Sequence, residues 1–151
     1  ALPTQLYLST NAADYESFLK INKPKYDDSW ERWNRTLDML KDLDTRTVLR
    51  ITLIRNYNDQ KEMIPAFAEM FRKASPHFIE IKSYMHIGRS TNRLEHENML
   101  EMSEVKKFSE QIAKESKIFS IMDESIVSRI SILQNNERFI DRWIPTYSNT
   151  N

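Results

Sequence analysis

The chain has 151 residues, of which 40% are hydrophobic and 29% charged, the balance of a globular domain rather than of a disordered segment. Lys plus Arg and Asp plus Glu number 22 each, so only a local basic patch, and not bulk charge, would support nucleic-acid binding. No cysteine is present, which excludes disulfides, thiolate zinc sites and iron–sulfur ligation from within these residues. No apolar run is long enough to cross a bilayer, and we expect a cytoplasmic protein.

The chain contains one glycine, whereas average usage would give about ten. A glycine-rich phosphate loop is therefore excluded. Backbone positions that need a positive φ are expected to fall to asparagine instead, because its short polar side chain tolerates the left-handed region. The candidates are Asn11, Asn22, Asn56, Asn58 and Asn92.

The first third of the chain predicts one strand and one long helix. The chain opens at Ala1-Leu2-Pro3 without Met, so we expect a piece of a longer product. It runs straight into Gln5–Ser9, whose alternation of apolar and polar residues indicates a strand. A short amphipathic segment follows, and then a helix from about residue 29 to residue 43. Asp28 is the expected N-cap of this helix, and Glu31 completes a capping-box-like arrangement.

The remainder of the chain alternates strand and helix patterns. Pro65 lies inside one helical pattern and is expected to bend its first turns. Ser103 is the expected cap of the last helix. The predicted elements are strands at 46–54 and 78–85, helices at 59–74 and 103–116, a polar loop at 86–102, and two final strands at 118–122 and 128–133. Such alternation predicts parallel βαβ units in one α/β domain.

The parity of the strands separates an aliphatic face from a polar one. Leu49, Ile51, Leu53, Ile79 and Ile81 share the first face, whereas Arg50, Thr52, Glu80, Lys82 and Tyr84 share the second. This pattern fits a barrel or half-barrel whose inner face lines a polar cavity. It fits equally an ion-pair network of Arg50, Glu80 and Lys82 that only holds strands together. Barrel ligands sit at the carboxyl ends of strands, where the nearest candidates are Ser9, Thr52, Lys82 and Tyr84.

The loop after the third strand is basic and rich in hydroxyl groups. Between Glu80 and Glu95 no acidic residue occurs, while Lys82, His86, Arg89 and Arg93 are interspersed with Tyr84, Ser90, Thr91 and Asn92. Such a loop suits a phosphate backbone, and an ordinary solvated loop is the alternative.

No other residue pattern predicts a metal or catalytic site. His77, His86 and His96 lack the spacing of a metal pair and are expected on the surface or in loops. The adjacent acids Asp123 and Glu124 are expected at a solvated loop rather than in acid–base catalysis.

Several of these segments resemble the tRNA wybutosine synthase family of radical S-adenosylmethionine (SAM) enzymes. The matching stretches are Gln5-Leu-Tyr-Leu-Ser9, Asn22-Lys-Pro-Lys-Tyr26 before Trp30-Glu-Arg32, Arg46-Thr-Val-Leu-Arg-Ile-Thr-Leu53, Tyr57-Asn58, Phe78-Ile-Glu-Ile-Lys82, and Asn92-Arg-Leu with Glu97-Asn-Met99. Their order and spacing cover about two-thirds of the chain.

The resemblance implies the second half of a partial (βα)6 barrel at residues 1–134, followed by a carboxy-terminal tail at 135–151. It implies that the full enzyme joins carbons from pyruvate to N1-methylguanosine of phenylalanine tRNA, forming 4-demethylwyosine. It also implies SAM and a [4Fe–4S] cluster as cofactors, with the cluster cysteines in a first half that is missing from this chain. These 151 residues alone are then expected to be inactive.

The site residues that the resemblance implies fall into two groups. Ser9, Asn11, Arg50 and Thr52 are expected to bind SAM, and Lys82, Tyr84, Arg89, Ser90 and Arg93 to face the substrate and the tRNA. A non-catalytic half-barrel that binds RNA or protein is the alternative. An unrelated aldolase-like barrel fragment is a third hypothesis, which needs Lys82 as its reactive lysine.

Overall fold

Five strands and four α-helices form the part of the chain that this computed structural model describes, residues 1–144. The elements are β1 (Gln5–Ser9), α1 (Tyr15–Asn22), α2 (Ser29–Met39), β2 (Arg46–Leu53), α3 (Ile64–Ala74), β3 (Phe78–Ser83), α4 (Met102–Ser116), β4 (Phe119–Ser125) and β5 (Ile130–Asn135). Short 3-10 turns lie at Leu40–Asp42, Lys61–Met63, Gly88–Asn92 and His96–Asn98.

The strands form one mixed sheet in the order β1-β2-β3-β5-β4. The prediction of parallel βαβ units is confirmed for β1, β2 and β3. It is wrong for the last two strands, since β5 runs antiparallel to both β3 and β4. The turn at 126–129 is too short for the crossover that a parallel connection needs, so these strands can only form a hairpin.

The predicted aliphatic face of the sheet packs against the helices. Leu49, Ile51, Leu53, Ile79 and Ile81 are each 0% exposed and share one core cluster with apolar residues of α2, α3 and α4. Burying each such side chain contributes roughly 1.5–3 kcal/mol before entropy is counted. The opposite face of the sheet carries no helix among the described residues, so the sheet is open and mixed α/β in class.

The predictions at three helix starts differ from the structure in detail. Asp28 occupies the N-cap position of α2, as predicted, but its side chain makes no capping hydrogen bond and instead accepts from Arg32 Nε at 2.7 Å. The helix predicted from residue 59 begins only at Ile64, after the 3-10 turn Lys61–Met63, so Pro65 lies in its first turn, where the missing N–H leaves no intrahelical hydrogen bond unmade. Glu101, not Ser103, caps α4, in a capping box with Glu104.

Positive φ angles fall mostly on residues other than asparagine. Of the five asparagine candidates only Asn56 adopts one, with φ 70°. Lys23, Ser75 and Lys117 hold the left-handed conformation directly after helices α1, α3 and α4. Each donates its N–H to the carbonyl four residues earlier, as a helix end requires. With a single glycine in the chain, larger residues occupy these helix ends.

The segment after β5 returns along the amino-terminal edge of the sheet. Arg46 donates to the carbonyls of Arg142 and Trp143, each at 3.0 Å. Of the tail predicted at 135–151, Asn135 is the last residue of β5, Arg142 and Trp143 contact β2, and 145–151 lie outside the described residues. No helix within residues 1–144 is long and apolar enough to span a membrane.

Candidate functional site

The carboxyl ends of β1, β2 and β3 meet at one edge of the sheet because these strands are parallel. Across the strands, Ser9 is the partner of Arg50, and Thr52 is the partner of Lys82. Residues paired in this way point to the same face. Four of the predicted site residues are therefore brought together on the open face.

Arg50 and Glu80 form a bidentate ion pair at the centre of this face. Arg50 Nε lies 3.0 Å from Glu80 Oε1, and Arg50 Nη2 lies 3.2 Å from Glu80 Oε2. Glu80 is 8% exposed, and the Tyr7 ring lies 4.7 Å from the guanidinium carbon. A planar fork donating two parallel bonds fixes both side chains in one geometry. The predicted ion pair is confirmed for these two residues.

Lys82 does not join that pair. Its side chain is half-buried, and it forms no ion pair with any residue in the described range 1–144. The network of three charged residues considered from the sequence therefore reduces to one pair and one separate ammonium group on the same face.

Two asparagines connect the ends of β1 and β2. Asn11 Oδ1 accepts from the Thr52 N–H at 2.9 Å. Asn58, which is fully buried, donates to the carbonyls of Asn11 and Thr52 at 3.0 and 2.9 Å, and its Oδ1 accepts from the Ile54 N–H at 2.7 Å. Sequence reasoning placed Asn58 only in a turn and missed this positioning role. Its position in the turn that follows β2 was the available signal.

Tyr84 is buried and anchors the loop that follows β3. Its hydroxyl lies 3.0 Å from His86 Nδ1, and its N–H donates to the Leu53 carbonyl at 2.7 Å. The His86 and His96 rings are 6.1 Å apart in an edge-on arrangement. Tyr84 thus fixes the loop onto the strand edge, a contact that the sequence did not indicate.

The basic residues of the loop project into solvent. Arg89 and Arg93 are exposed, on or beside the 3-10 turn Gly88–Asn92. Ser90 donates its hydroxyl to the Ile87 carbonyl at 2.6 Å, so this side chain shapes the turn. The two guanidinium groups are the parts of this loop that are free to meet an anion.

His77 lies in the loop between α3 and β3, which is one of the two expected positions, but this loop residue is buried and not on the surface. His77 is 9% exposed, and its Nδ1 lies 3.1 Å from the Thr47 N–H nitrogen. Burial, followed by the charges of Arg138 and Arg46, lowers the pKa of His77 from 6.5 to about 4. The residue precedes β3 and so lies at the edge opposite the candidate site.

The acidic pair Asp123 and Glu124 lies in β4 rather than in a loop. A hydrogen bond from the Arg142 side chain, with the Glu124 N–H and the Arg142 charge, lowers the pKa of Asp123. Glu124 pairs with Lys106 at 3.5 Å. Within residues 1–144 no three His, Asp or Glu side chains are grouped as metal ligands.

Comparisons with known proteins point to one family. Residues 73–135 match the family model described as wyosine base formation. The S-adenosyl-L-methionine-dependent tRNA 4-demethylwyosine synthase of Methanocaldococcus jannaschii is 43% identical over 92% of this chain and 43% of its own length. The synthase of the same name from Pyrococcus abyssi is 38% identical over 90% of this chain and 39% of its own length.

A solved structure agrees with the sequence matches. The structure of TYW1 with a lysine-pyruvate adduct bound superposes with a TM-score of 0.82 at 42% identity, over 91% of this chain and 43% of that one. The chain spans about two-fifths of the length of these archaeal relatives. Residues 73–135 belong to the wyosine base formation family, in a chain similar over about nine-tenths of its length to tRNA 4-demethylwyosine synthases.

Proposed function

We propose that residues 1–134 form the second half of the catalytic barrel of a SAM-dependent tRNA 4-demethylwyosine synthase. The observation that carries this proposal is the open sheet face, where a fixed Arg50–Glu80 pair lies beside Lys82, which has no ion-pair partner among residues 1–144. A charged face without a helical layer suits the interior of a barrel, whose ligands sit at the carboxyl ends of its strands. The similarity to the synthases supports the same assignment.

The proposed reaction joins carbons from pyruvate to N1-methylguanosine in phenylalanine tRNA, in the cytoplasm. The lysine-pyruvate adduct in the similar TYW1 structure supports pyruvate as the carbon donor. Lys82 and Tyr84 would lie nearest the substrate, and Arg89, Ser90 and Arg93 would face the tRNA. Exposed guanidinium groups suit this role because they bind phosphate oxygens through two parallel hydrogen bonds.

The donor groups at the strand edge fit SAM, which presents a carboxylate and ribose hydroxyls. The hydroxyls of Ser9 and Thr52 make no hydrogen bond to another residue in the described range, and neither does the side-chain NH₂ of Asn11. Asn58 and the Thr52 N–H hold Asn11 in position, so its amide is oriented before a ligand arrives. Arg50 would offer the SAM carboxylate the guanidinium N–H groups that Glu80 does not engage. When bound, SAM supplies the radical chemistry.

The [4Fe–4S] cluster does not fit these residues. They contain no cysteine, and the described range offers no group of His, Asp and Glu that could replace thiolates. We therefore assign the cluster to residues outside these 151, and we propose that the 151 residues alone are inactive.

The test is a chimera. In the Methanocaldococcus jannaschii synthase, the matched 43% of the length is replaced by this chain, and 4-demethylwyosine in tRNA is measured by mass spectrometry. We expect product from the chimera, loss of product with Lys82→Gln, and no loss with Lys114→Gln on the exposed side of α4.

Product that is unaffected by Lys82→Gln would contradict the assignment of the open face to the active site. A folded chimera that binds tRNA without forming product would instead favour the alternative hypothesis, a non-catalytic half-barrel that binds RNA or protein.

A further inference from the structure

A small cleft at the carboxyl-terminal edge of β1 and β2 collects three cationic side chains. The cleft has a volume of about 160 Å³ and lies between α1, the strand ends and the loop after β3. Its lining includes Lys20, Lys23 and Arg93, together with Asn11, Ile54 and Tyr57. Asn11 and Arg93 were among the site residues predicted from the sequence, whereas Lys20 and Lys23 were not.

No acidic residue lines this cleft. Lys20, Lys23 and Arg93 form no ion pair with any residue that the structure describes. Three like charges that share one concave surface repel one another, and an anion in the cleft would relieve that repulsion. The cleft is therefore electrostatically suited to bind an anion.

The size and shape of the cleft limit what that anion can be. Sites for drug-sized ligands run to roughly 300–1,000 Å³, so a cleft of about 160 Å³ fits one small group and not a whole nucleotide. Lys20 Nζ lies 4.9 Å from the centre of the Tyr57 ring and covers one face of it, so that face is not free to stack on a base.

We propose that this cleft binds one phosphodiester group of the RNA backbone. The inference rests on the proposed function, because the cleft adjoins Asn11 and Arg93 at the same edge. The cleft would hold the RNA in register without reading its sequence, as phosphate contacts do. Lys20 of α1 and Lys23 at its C-terminal cap would then contact the RNA together with the arginines of the loop after β3.

The backbone of Lys23 makes a clean variant possible. Lys23 has φ 47°, a left-handed conformation that glycine adopts without cost. Lys23→Gly thus removes the charge while it relaxes the backbone, so loss of binding cannot be ascribed to unfolding. Lys117→Gly is the matched control: Lys117 has φ 66° and also follows a helix, but it lies two residues before β4, the strand at the opposite edge of the sheet from β1.

The experiment measures tRNA affinity by fluorescence anisotropy across a salt series, in the active chimera. For Lys23→Gly we expect affinity to fall about 3- to 10-fold, and the slope of log affinity against log salt to become shallower by about 0.7–0.9. The loss should be equal for two RNAs of unrelated sequence. For Lys117→Gly we expect neither change.

An unchanged affinity and slope in Lys23→Gly, or the same loss in Lys117→Gly, would overturn the inference while leaving the proposed function intact. A wild-type chimera that binds no tRNA would overturn both. A parallel titration uses inorganic phosphate: if Lys23→Gly weakens phosphate binding but not RNA binding, the cleft serves a small phosphate and the RNA assignment is wrong.

Discussion

At the scale of single residues, Arg50 and Lys82 differ in a way that separates structure from chemistry. Arg50 neutralises a buried carboxylate through two hydrogen bonds, whereas Lys82 has no acidic partner among the described residues. Removing Arg50 leaves the buried charge of Glu80 without a partner. Removing Lys82 leaves no buried carboxylate without a partner. The two residues share a face but carry different structural consequences.

We predict that Arg50→Met lowers the free energy of unfolding by about 1–3 kcal/mol, because a buried acceptor loses its partner. Lys82→Met should change it by less than about 0.5 kcal/mol. Both variants should reduce product formation in the chimera far more than they lower its melting temperature. Urea unfolding and a turnover assay on the same samples measure the two effects.

The double variant Arg50→Met with Glu80→Gln is the control for the Arg50 prediction. It should recover most of the lost stability without recovering product formation. If activity and stability fall in proportion in all three variants, the pair only holds strands together and the open face is not catalytic.

His77 predicts a pH dependence of stability. Its pKa is about 4 in the folded protein against 6.5 in the unfolded chain, so between these values the unfolded chain binds the additional proton. The stabilisation is complete above pH 6.5 and is lost as the pH falls towards 4, a change on the order of 3 kcal/mol. Arg46 and Arg138 nearby add to the cost of a second positive charge.

The measurement compares unfolding of the wild type with that of His77→Asn from pH 7 to pH 4. Asparagine can still accept from the Thr47 N–H but does not titrate, so the difference between the two proteins should vary through this range. A constant difference would mean that the pKa of His77 is the same in the folded protein and in the unfolded chain.

Sequence reasoning predicted correctly which of these side chains share a face of the sheet. Strand parity alone placed Arg50, Thr52 and Lys82 on one face, because side chains alternate along a strand. It could not distinguish the paired arginine from the unpaired lysine, since the register of β2 against β3 decides that. The burial of His77 depends on Thr47, thirty residues away, which no local pattern reveals.

At the scale of elements, Arg138 connects the tail to the ends of two helical segments. Its guanidinium donates to the Ser75 carbonyl at 2.7 Å and to the Leu40 and Leu43 carbonyls at 3.4 Å each. These carbonyls lie in or just after the turns that end α2 and α3, where a cation is favourable. Burial lowers the pKa of Arg138, and Asp42 acts in the opposite direction.

We predict that Arg138→Met lowers the free energy of unfolding by about 1–3 kcal/mol, because carbonyls at two helix ends lose a charged donor. Arg35→Met on the exposed side of α2 serves as the control and should stay within about 0.5 kcal/mol. Urea denaturation of both variants measures the difference. Equal effects would show that the Arg138 contacts do not stabilise the fold.

The helices illustrate what local sequence can and cannot predict. Apolar spacing correctly located α2, α3 and α4, because each must bury one stripe against the sheet. Their first residues were predicted less well. Asp28 is the N-cap residue of α2, but its side chain pairs with Arg32 and does not cap the helix, while Glu101 caps α4 in a capping box with Glu104. Several acceptors compete at a helix start, and small energy differences decide among them.

At the scale of the whole molecule, the sheet leaves a strand edge open. Within the described residues β1 pairs with β2 on one side only. The alternation of strand and helix patterns along the chain was enough to predict five strands. The order β3-β5-β4 depends on the short turn at 126–129, which forces a hairpin and which the sequence prediction did not consider. An unpaired edge of this kind is a site for association with another strand.

We predict that the isolated 151-residue chain self-associates through β1. Thr10 donates its N–H to the Arg50 carbonyl, so the N–H groups of Tyr7 and Ser9 point away from β2 in the alternating pattern of a strand. Ser9→Pro removes one outward donor without removing a bond to β2, and it should shift the chain to monomer in analytical ultracentrifugation.

The control is Ser103→Pro, in the first turn of α4 where proline is tolerated, and it should not shift the chain to monomer. A wild-type chain that sediments as a monomer at high concentration would contradict the prediction, and association that persists in Ser9→Pro would place the contact at β4 or on the open face instead.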